Sequence, residues 1–332
     1  MLQPIPLRKL GRSDLAISPI GLGCWQFAQG KGLFGNYWAT IPDEDIREIV
    51  RISLEAGINW FDTAESYGGG RSERKLSAAL KSLGVKPGNV IVATKWRPFF
   101  RTARSIAGTI DERLAALDGY PIDLHQIHQP YSFSSVPAQM NAMADLVEAR
   151  QIRWVGVSNF SARKMHLAHE TLGKRGLPLI SNQVRYSLID RSIERNGILE
   201  TARELGISII AYSPLAQGIL TGKFHDQPGL VRSKPGYRKY MKAFQPAGLE
   251  ASRPLIEALQ EQAKKYGRTP GQIALNWLIY AHGDMVVAIP GAMSAAQARE
   301  NAGALGFTLS GEDIDFLSRV AAGIKKTVDS MK

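Results

Sequence analysis

The strongest constraint on this chain is a rhythm. Short runs rich in β-branched and aromatic residues alternate with segments whose apolar residues keep helical spacing, and the alternation repeats eight times without a break. Strands are predicted at residues 17–25, 59–64, 90–95, 122–128, 152–159, 180–186, 207–215 and 286–291. The following helices are predicted at 42–56, 72–83, 105–117, 136–150, 161–172, 198–205, 254–266 and 294–304. In the first of these, Ile46, Ile49, Val50 and Leu54 share one face, Asp43, Glu44 and Asp45 suit the positive end of the helix dipole, and Gly57 ends the run. Strands joined by helical crossovers run parallel, because a parallel pair needs a long connection. Eight units in about 300 residues close into a barrel more readily than they spread into an open sheet. The expected fold class is therefore α/β, a (β/α)8 TIM barrel in one domain spanning residues 1–332. Residues 5–17 hold the turn Gly11-Arg12-Ser13-Asp14 between apolar runs and read as an N-terminal β-hairpin that would plug the barrel floor. Extra helices are expected at 270–280 and, near the C-terminus, at 310–323. The first opens with Thr269, Pro270 and Gln272, a capping-box spacing with proline at the first helical position.

Composition removes several function classes. Apolar residues make up 44% and charged residues 21%, a globular balance. No stretch reaches the ~20 apolar residues of a membrane helix. The opening residues 1–10 lack an apolar core and a small-residue cleavage site, so no secretion signal is expected. Cys24 is the sole cysteine, which rules out an internal disulfide and points to a reducing cytoplasm. The net charge of +11 raises the question of nucleic acid. The excess is spread along the chain, and the aromatic–basic interleaving of single-strand binders is absent, so neither nucleic acid nor membrane is an expected partner. One local concentration, Lys223, Arg232, Lys234, Arg238, Lys239 and Lys242 with only Asp226 opposing, is either a solvated loop or a cover for a phosphorylated small molecule.

In barrels of this kind the reactive groups lie at the C-terminal strand ends and in the loops that follow. Three consecutive strands end in groups that a packed core would not choose. They are Asp62 in Phe61-Asp62-Thr63-Ala64-Glu65-Ser66-Tyr67-Gly68, Lys95 in Val92-Ala93-Thr94-Lys95, and His128 in Gln126-Ile127-His128. Asp62, Lys95 and His128 are each 33 residues apart, which delivers an acid, an amine and an imidazole to one level of the barrel mouth. Tyr67 follows Asp62 in its loop. Singly, each has an ordinary explanation: a turn cap, a turn aromatic before three glycines, a solvated strand end, a core histidine. Together they would be four accidents on one rim. His125 stands three places before His128, so it points to the other face and is assigned to packing. His166 and His169 share a helix face without an evident third ligand, and no metal site is expected.

Asp62-Thr63-Ala64 with Tyr67-Gly68, Ala93-Thr94-Lys95, and Asp123-Leu124-His125-Gln126-Ile127-His128 resemble the catalytic motifs of the aldo-keto reductase family. Gly156-Val157-Ser158-Asn159-Phe160, Asn182-Gln183-Val184 and Ala211-Tyr212-Ser213-Pro214-Leu215 resemble its cofactor motifs. The matches run in order over nearly the whole chain, and the chain looks most similar to bacterial members near the potassium-channel β-subunit branch. The resemblance implies an NAD(P)H-dependent oxidoreductase that reduces an aldehyde or ketone to an alcohol, cytoplasmic, with a small carbonyl or alcohol as partner. It implies Tyr67 as general acid, Lys95 as the ammonium that eases its proton transfer, Asp62 as the counter-charge of Lys95, and His128 as the group that orients the carbonyl. A cofactor-binding regulatory subunit with slow turnover is the alternative that the same family suggests. Nothing in the sequence sets an oligomeric state.

The cofactor implied is NADP(H) rather than NAD(H). Gly21 and Gly23 begin a G-x-G spacing, but Gln26 takes the third position and no Rossmann unit follows, so these glycines read as barrel packing. By resemblance, Ser158, Asn159 and Gln183 would hold the carboxamide and Tyr212 would stack on the nicotinamide. Ser213, Pro214, Leu215, Gln217 and Gly218, with Lys223 and Arg232, would hold the pyrophosphate. Gly291, Met293, Gln297 and Asn301 would meet the adenosine. Many family members carry basic residues near the start of this last motif and at Gln297. Here they are absent, although Arg299 is close. Ser294 and Gln297 also have capping-box spacing and could simply start the last helix. For substrate, Trp25, Trp38 and Trp96 are candidates for an apolar pocket wall or for packing, and residues 29–40 for a lid. Arg97, Arg101 and Arg104 either select an anionic substrate or form a solvated face.

Overall fold

The computed structural model describes residues 5–28, 39–233 and 237–329, so the lid expected at 29–40 lies almost wholly outside the described residues, as do Trp38 and Lys234. The chain opens with an antiparallel hairpin of β1 (Arg8–Lys9) and β2 (Ala16–Ile17). Next come β3 (Leu22–Gly23), a 3-10 turn over Trp25–Ala28, α1 (Asp43–Glu55), β4 (Trp60–Asp62) and α2 (Arg71–Ser82). They are followed by β5 (Ile91–Trp96), α3 (Arg104–Gly108), α4 (Ile110–Leu117), β6 (Ile122–Ile127), α5 (Val136–Glu148), β7 (Ile152–Ser158), α6 (Ala162–Gly173) and β8 (Leu179–Arg185). The second half continues with α7 (Ile198–Leu205), β9 (Ser208–Tyr212), the single turns α8 (Lys223–Asp226) and α9 (Leu230–Ser233), and α10 (Pro246–Tyr266). It ends with α11 (Pro270–Tyr280), β10 (Val286–Ala288), α12 (Ala295–Gly303) and α13 (Gly311–Asp329).

Strands β3 to β10 lie side by side in chain order, all parallel. Backbone bonds from Gly21 N to Ala288 O (2.8 Å), Ala288 N to Pro19 O (3.0 Å) and Gly23 N to Pro290 O (3.1 Å) join the first strand to the last and close the barrel. A Cβ at Gly21 would lie 2.3 Å from the Trp60 indole, and one at Gly23 would lie 2.8 Å from Ile289 O, so these two glycines serve the closure. Strand alternation points Trp60, Ala93, Leu124, Ile210 and Val287 into the barrel and Phe61, Val92, Ile127 and Ile209 toward the helices.

The hairpin fills the floor. Leu10, Leu15 and Ile17 are buried in the inner core, and each such side chain stabilises by roughly 1.5–3 kcal/mol on burial. Its backbone is bonded to the starts of the strands: Asn59 Nδ2 donates to Ala16 O (2.8 Å), Trp60 Nε1 to Ser18 O (2.9 Å), and Gly11 N to Ser208 Oγ (2.7 Å). The capping box of α11 is present, with Gln272 N donating to Thr269 Oγ1 and Thr269 N to Gln272 Oε1.

Several element boundaries differ from expectation, three of them with a clear physical cause. The run 17–25 is not one strand, because Ile17 pairs in the hairpin and Trp25 enters the 3-10 turn. The helix expected at 105–117 breaks at Thr109, whose hydroxyl donates to Ser105 O (2.8 Å) in competition with the backbone. The helix expected from Pro254 begins at Pro246 and runs through Pro254. The carbonyl that loses its donor, four residues back at Glu250, lies on an exposed residue where solvent can serve it.

Candidate active site

Inward parity carries past the strand ends. Asp62 follows Trp60, Lys95 follows Ala93, and Gln126 and His128 follow Leu124, each at steps of two. The equal spacing of Asp62, Lys95 and His128 thus becomes three side chains over one rim. Lys95 is fully buried. Its Nζ donates to Asp62 Oδ1 (2.5 Å), Thr63 O (2.8 Å) and Tyr67 Oη (3.3 Å), which uses all three ammonium protons.

Tyr67 is held by a tight loop. Gly68, Gly69 and Gly70 all have positive φ (66°, 63° and 78°), and a Cβ at Gly68 would lie 1.9 Å from Ala28 O. The glycines turn the chain directly into α2 and leave the Tyr67 ring facing Lys95 Nζ at 4.9 Å and the His128 ring at 5.6 Å, edge to face. Trp25 stands beside Tyr67, with 6.2 Å between the ring centroids. Trp96 does not. It is one residue past Lys95, so it faces outward, is buried beneath α3, and donates Nε1 to Ser105 Oγ (3.1 Å). The assignment of Trp96 to the substrate pocket is therefore corrected to packing.

The electrostatics also differ from expectation at one point. Burial pushes the Tyr67 hydroxyl above its usual range. The Lys95 ammonium opposes this and Asp62 adds to it, and burial prevails. Burial pulls Lys95 down, but Asp62 and then Tyr67 outweigh it, so the ammonium is held above the usual lysine range. His128 is lowered to about 3 by burial, then by the charges of Lys95 and Arg97. His125 is also lowered to about 3, chiefly by burial, and is packed on the outer face as expected.

Several contacts at the site were not announced by the sequence. Gln126 Nε2 (3.1 Å) and Gln183 Nε2 (2.8 Å) both donate to Asp62 Oδ2, and Ser66 Oγ lies 3.2 Å from His128 Nδ1. Gln126 shares the parity of His128, a signal that was available. Glu65 was not legible. Its carboxylate, almost fully buried, accepts from Arg97 N and Arg101 Nη1 and from Arg113 Nη1 (3.0 Å), and Arg113 Nε also pairs with buried Glu73 (2.9 Å). This network braces the Tyr67 loop against the loop after β5.

On the far side of the rim, the residues assigned to the nicotinamide end come together. Tyr212 Oη donates to Asn159 Oδ1 (3.0 Å), Asn159 Nδ2 to Ser158 Oγ (3.0 Å), and Ser158 Oγ to Gln183 O (2.9 Å). In the following loop Ser213, Ala216, Gln217 and Gly218 have positive φ, Ala216 N and Gly218 N donate to Ser213 O and Leu215 O (both 2.9 Å), and the Lys223 side chain lies beside Gly218. Arg232 lies exposed on α9. Gly291 and Met293 lie in the loop before α12, and Gln297 and Asn301 on that helix bond back to it. Gln297 Oε1 accepts from Met293 N (2.8 Å), Asn301 Nδ2 donates to Gly291 O (3.2 Å), and Ser294 caps α12 by accepting from Gln297 N. Ser294 and Gln297 therefore do start the helix, while the Gln297 side chain bonds Met293 N and not the cap residue. His166 pairs with Glu204 at 3.8 Å, and among the described residues no cluster able to hold a metal ion is present.

A closed parallel barrel thus carries a buried amine between a carboxylate and a phenol at its C-terminal rim, and comparison with known proteins gives its family. The sequence pattern of the Aldo/keto reductase family matches residues 19–322. The chloroplastic pyridoxal reductase of Arabidopsis thaliana is 36% identical over 321 residues, covering 93% of this chain and 84% of that protein. Among solved structures, a thermostable aldo-keto reductase is 30% identical with a TM-score of 0.73, covering 95% of this chain and 99% of that one. The glycerol dehydrogenase of Gluconobacter oxydans is 26% identical with a TM-score of 0.82, covering 96% and 95%. The chain belongs to the aldo/keto reductase family, whose members are oxidoreductases that use nicotinamide cofactors.

Proposed function

We propose that this chain is an NADP(H)-dependent reductase that converts an aldehyde or ketone to an alcohol, with Tyr67 as general acid. The observation that carries the reading is the line Asp62–Lys95–Tyr67. A buried ion pair is at best neutral for stability, so a fully buried ammonium aimed at a phenol argues for chemistry. Ser158, Asn159, Gln183 and Tyr212 would hold the nicotinamide, the 213–218 backbone with Lys223 and Arg232 the pyrophosphate, and Gly291, Met293, Gln297 and Asn301 the adenosine. When bound and reduced, the cofactor supplies a hydride to the carbonyl carbon. Tyr67 gives its hydroxyl proton to the carbonyl oxygen, and the Lys95 ammonium, kept charged by Asp62, pairs with the phenolate left behind. His128 donates Nε2–H to the same oxygen when Nδ1 accepts from Ser66.

NADPH is favoured by the resemblance to the potassium-channel β-subunit branch, while Arg299, two residues from both Gln297 and Asn301 on α12, is engaged with α1. Its ion pair with Glu48, 3.4 Å long and exposed on both sides, is weak enough for a 2′-phosphate to displace. We place the enzyme in the cytoplasm, as one barrel domain acting on a free small molecule. The test is the absorbance of NADPH, and separately NADH, with aromatic aldehydes, ketones, pyridoxal and glycerol, with Tyr67→Phe as control. Consumption that collapses in Tyr67→Phe supports the reading. Undiminished consumption in the variant sinks the mechanism. Tight NADPH binding without turnover favours a regulatory cofactor-binding subunit.

A further inference from the structure

The loops after β5 and β6 carry four large aromatic side chains in the open. Phe99 is 40% exposed, Phe100 84%, Tyr131 62% and Phe133 73%. Two of them lie between cations. The Arg97 guanidinium is 5.7 Å from the Phe99 ring, Phe99 is 6.2 Å from Tyr131, and Lys164 Nζ is 5.7 Å from Tyr131. This row stands beside the candidate active site. Trp96 is paired in register with Ile127, and His128 N donates to Trp96 O, so Arg97 and His128 are the neighbouring first residues past their strands. Arg97 also keeps the inward parity of Ala93 and Lys95.

The four cations of this region have different employment. Arg101 bonds Glu65, Ser105 and Thr109, and Arg113 pairs with Glu65 and Glu73, so both are neutralised inside the network. The Arg97 guanidinium has no carboxylate partner among the described residues; its backbone N–H alone reaches Glu65. Lys164 donates to Pro130 O and likewise meets no carboxylate there. Two unneutralised cations flanking exposed flat rings would attract an anionic, planar molecule and repel a cationic one.

We propose that Arg97, Phe99, Tyr131 and Lys164 form a rim subsite that selects carbonyl substrates with a flat apolar body and an anionic group, and that Arg97 is its principal specificity determinant. The inference rests on the reading of the adjacent rim as a carbonyl-reducing site. It divides the arginines left open by the sequence: Arg101 is structural, and Arg97 faces the substrate. The charge of Arg97 already acts at this rim, where it follows burial and Lys95 in keeping His128 neutral.

The probe pair is 4-carboxybenzaldehyde and methyl 4-formylbenzoate, which differ in charge and little in shape. The wild type is expected to favour the acid by about ten- to a hundredfold in kcat/KM, with the preference shrinking as salt rises. Arg97→Gln should bring the ratio near one, Arg97→Lys should restore part of it, and Arg104→Gln, an exposed change at the start of α3, should leave it intact. No preference in the wild type, or a preference that survives Arg97→Gln, overturns the proposal. If neither aldehyde is reduced, the reductase reading fails on its own, and the subsite is then read by calorimetry with benzoate. Binding that weakens about tenfold in Arg97→Gln supports the subsite. Binding that is absent in the wild type, or equal in the two proteins, overturns it.

Discussion

Gln183 donates its Nε2 to Asp62 Oδ2 at 2.8 Å, across the barrel from β8 to β4. The same carboxylate gives its other oxygen to Lys95 at 2.5 Å. A residue whose motif suggested cofactor binding is therefore also the group that orients the counter-charge of the buried amine. The two halves of the rim are mechanically one.

Gln183→Leu should lower both turnover and cofactor affinity. Loss of the shorter of the two amide bonds to Asp62 Oδ2 leaves only Gln126 on that oxygen and loosens the carboxylate, and misplacement of a catalytic group by about 1 Å costs on the order of a hundredfold in rate. Single-turnover rates and NADPH titration by fluorescence separate the two effects. A variant impaired only in binding would show that Gln183 does not position Asp62.

Asp62→Asn removes the charge that keeps Lys95 protonated in its buried seat. Burial then pulls the ammonium toward the neutral amine, and the support for a Tyr67 phenolate weakens. Carbonyl reduction is expected to fall by about a hundred- to a thousandfold, the range seen when one preorganised charge-stabilising group is lost. Wild-type turnover in Asp62→Asn would remove the pair from the mechanism.

The pH profile follows from the directions of three shifts. Tyr67 lies above its usual value of 10.0, so the proton donor stays loaded up to that region and is lost only as pH rises through it. Lys95, raised above 10.5, stays charged, and His128, lowered to about 3, stays neutral. Reduction should be flat from about pH 5.5 to 9, while alcohol oxidation, which needs the phenolate, should rise about tenfold per pH unit over the same range. A limb near pH 6.5 in the reduction profile would mean that His128 titrates as an ordinary histidine.

Arg113→Met should destabilise the fold by about 3–5 kcal/mol at neutral pH, because Glu73 would be left buried without its ion partner and Glu65 with Arg101 alone. Burial already raises Glu73, against the pull of Arg113 and Thr94. In the variant its folded pKa rises further above the unfolded one, so the folded state takes up the proton first as pH falls. The loss should therefore shrink between pH 7 and 5, read from urea midpoints at each pH. A loss that is independent of pH would place the cost in packing instead of charge.

The barrel was legible because periodicity is local. Period-two and period-3.6 patterns need no knowledge of distant contacts, and an unbroken alternation of eight units leaves few topologies. The catalytic candidates were legible for the same reason, since three strand ends at equal spacing share one parity. That parity was underused at two residues. Gln126 is inward by the argument that admits His128, and Trp96 is outward by the argument that admits Lys95. The helix over Pro254 was missed because proline more often starts a helix than crosses one, and here an exposed carbonyl makes the crossing tolerable.

Strand order, the acid, amine, imidazole and phenol at the mouth, and the glycines that turn the Tyr67 loop are thus properties of the sequence by itself. They depend on alternation along the chain and on the backbone freedom of single residues. The Glu65–Arg113–Glu73 brace, the isolation of Arg97 from any described carboxylate, and the victory of burial over Lys95 at the Tyr67 hydroxyl were decided only by the tertiary structure. Each depends on which groups far apart in sequence exclude water from one another, and no local pattern carries that information.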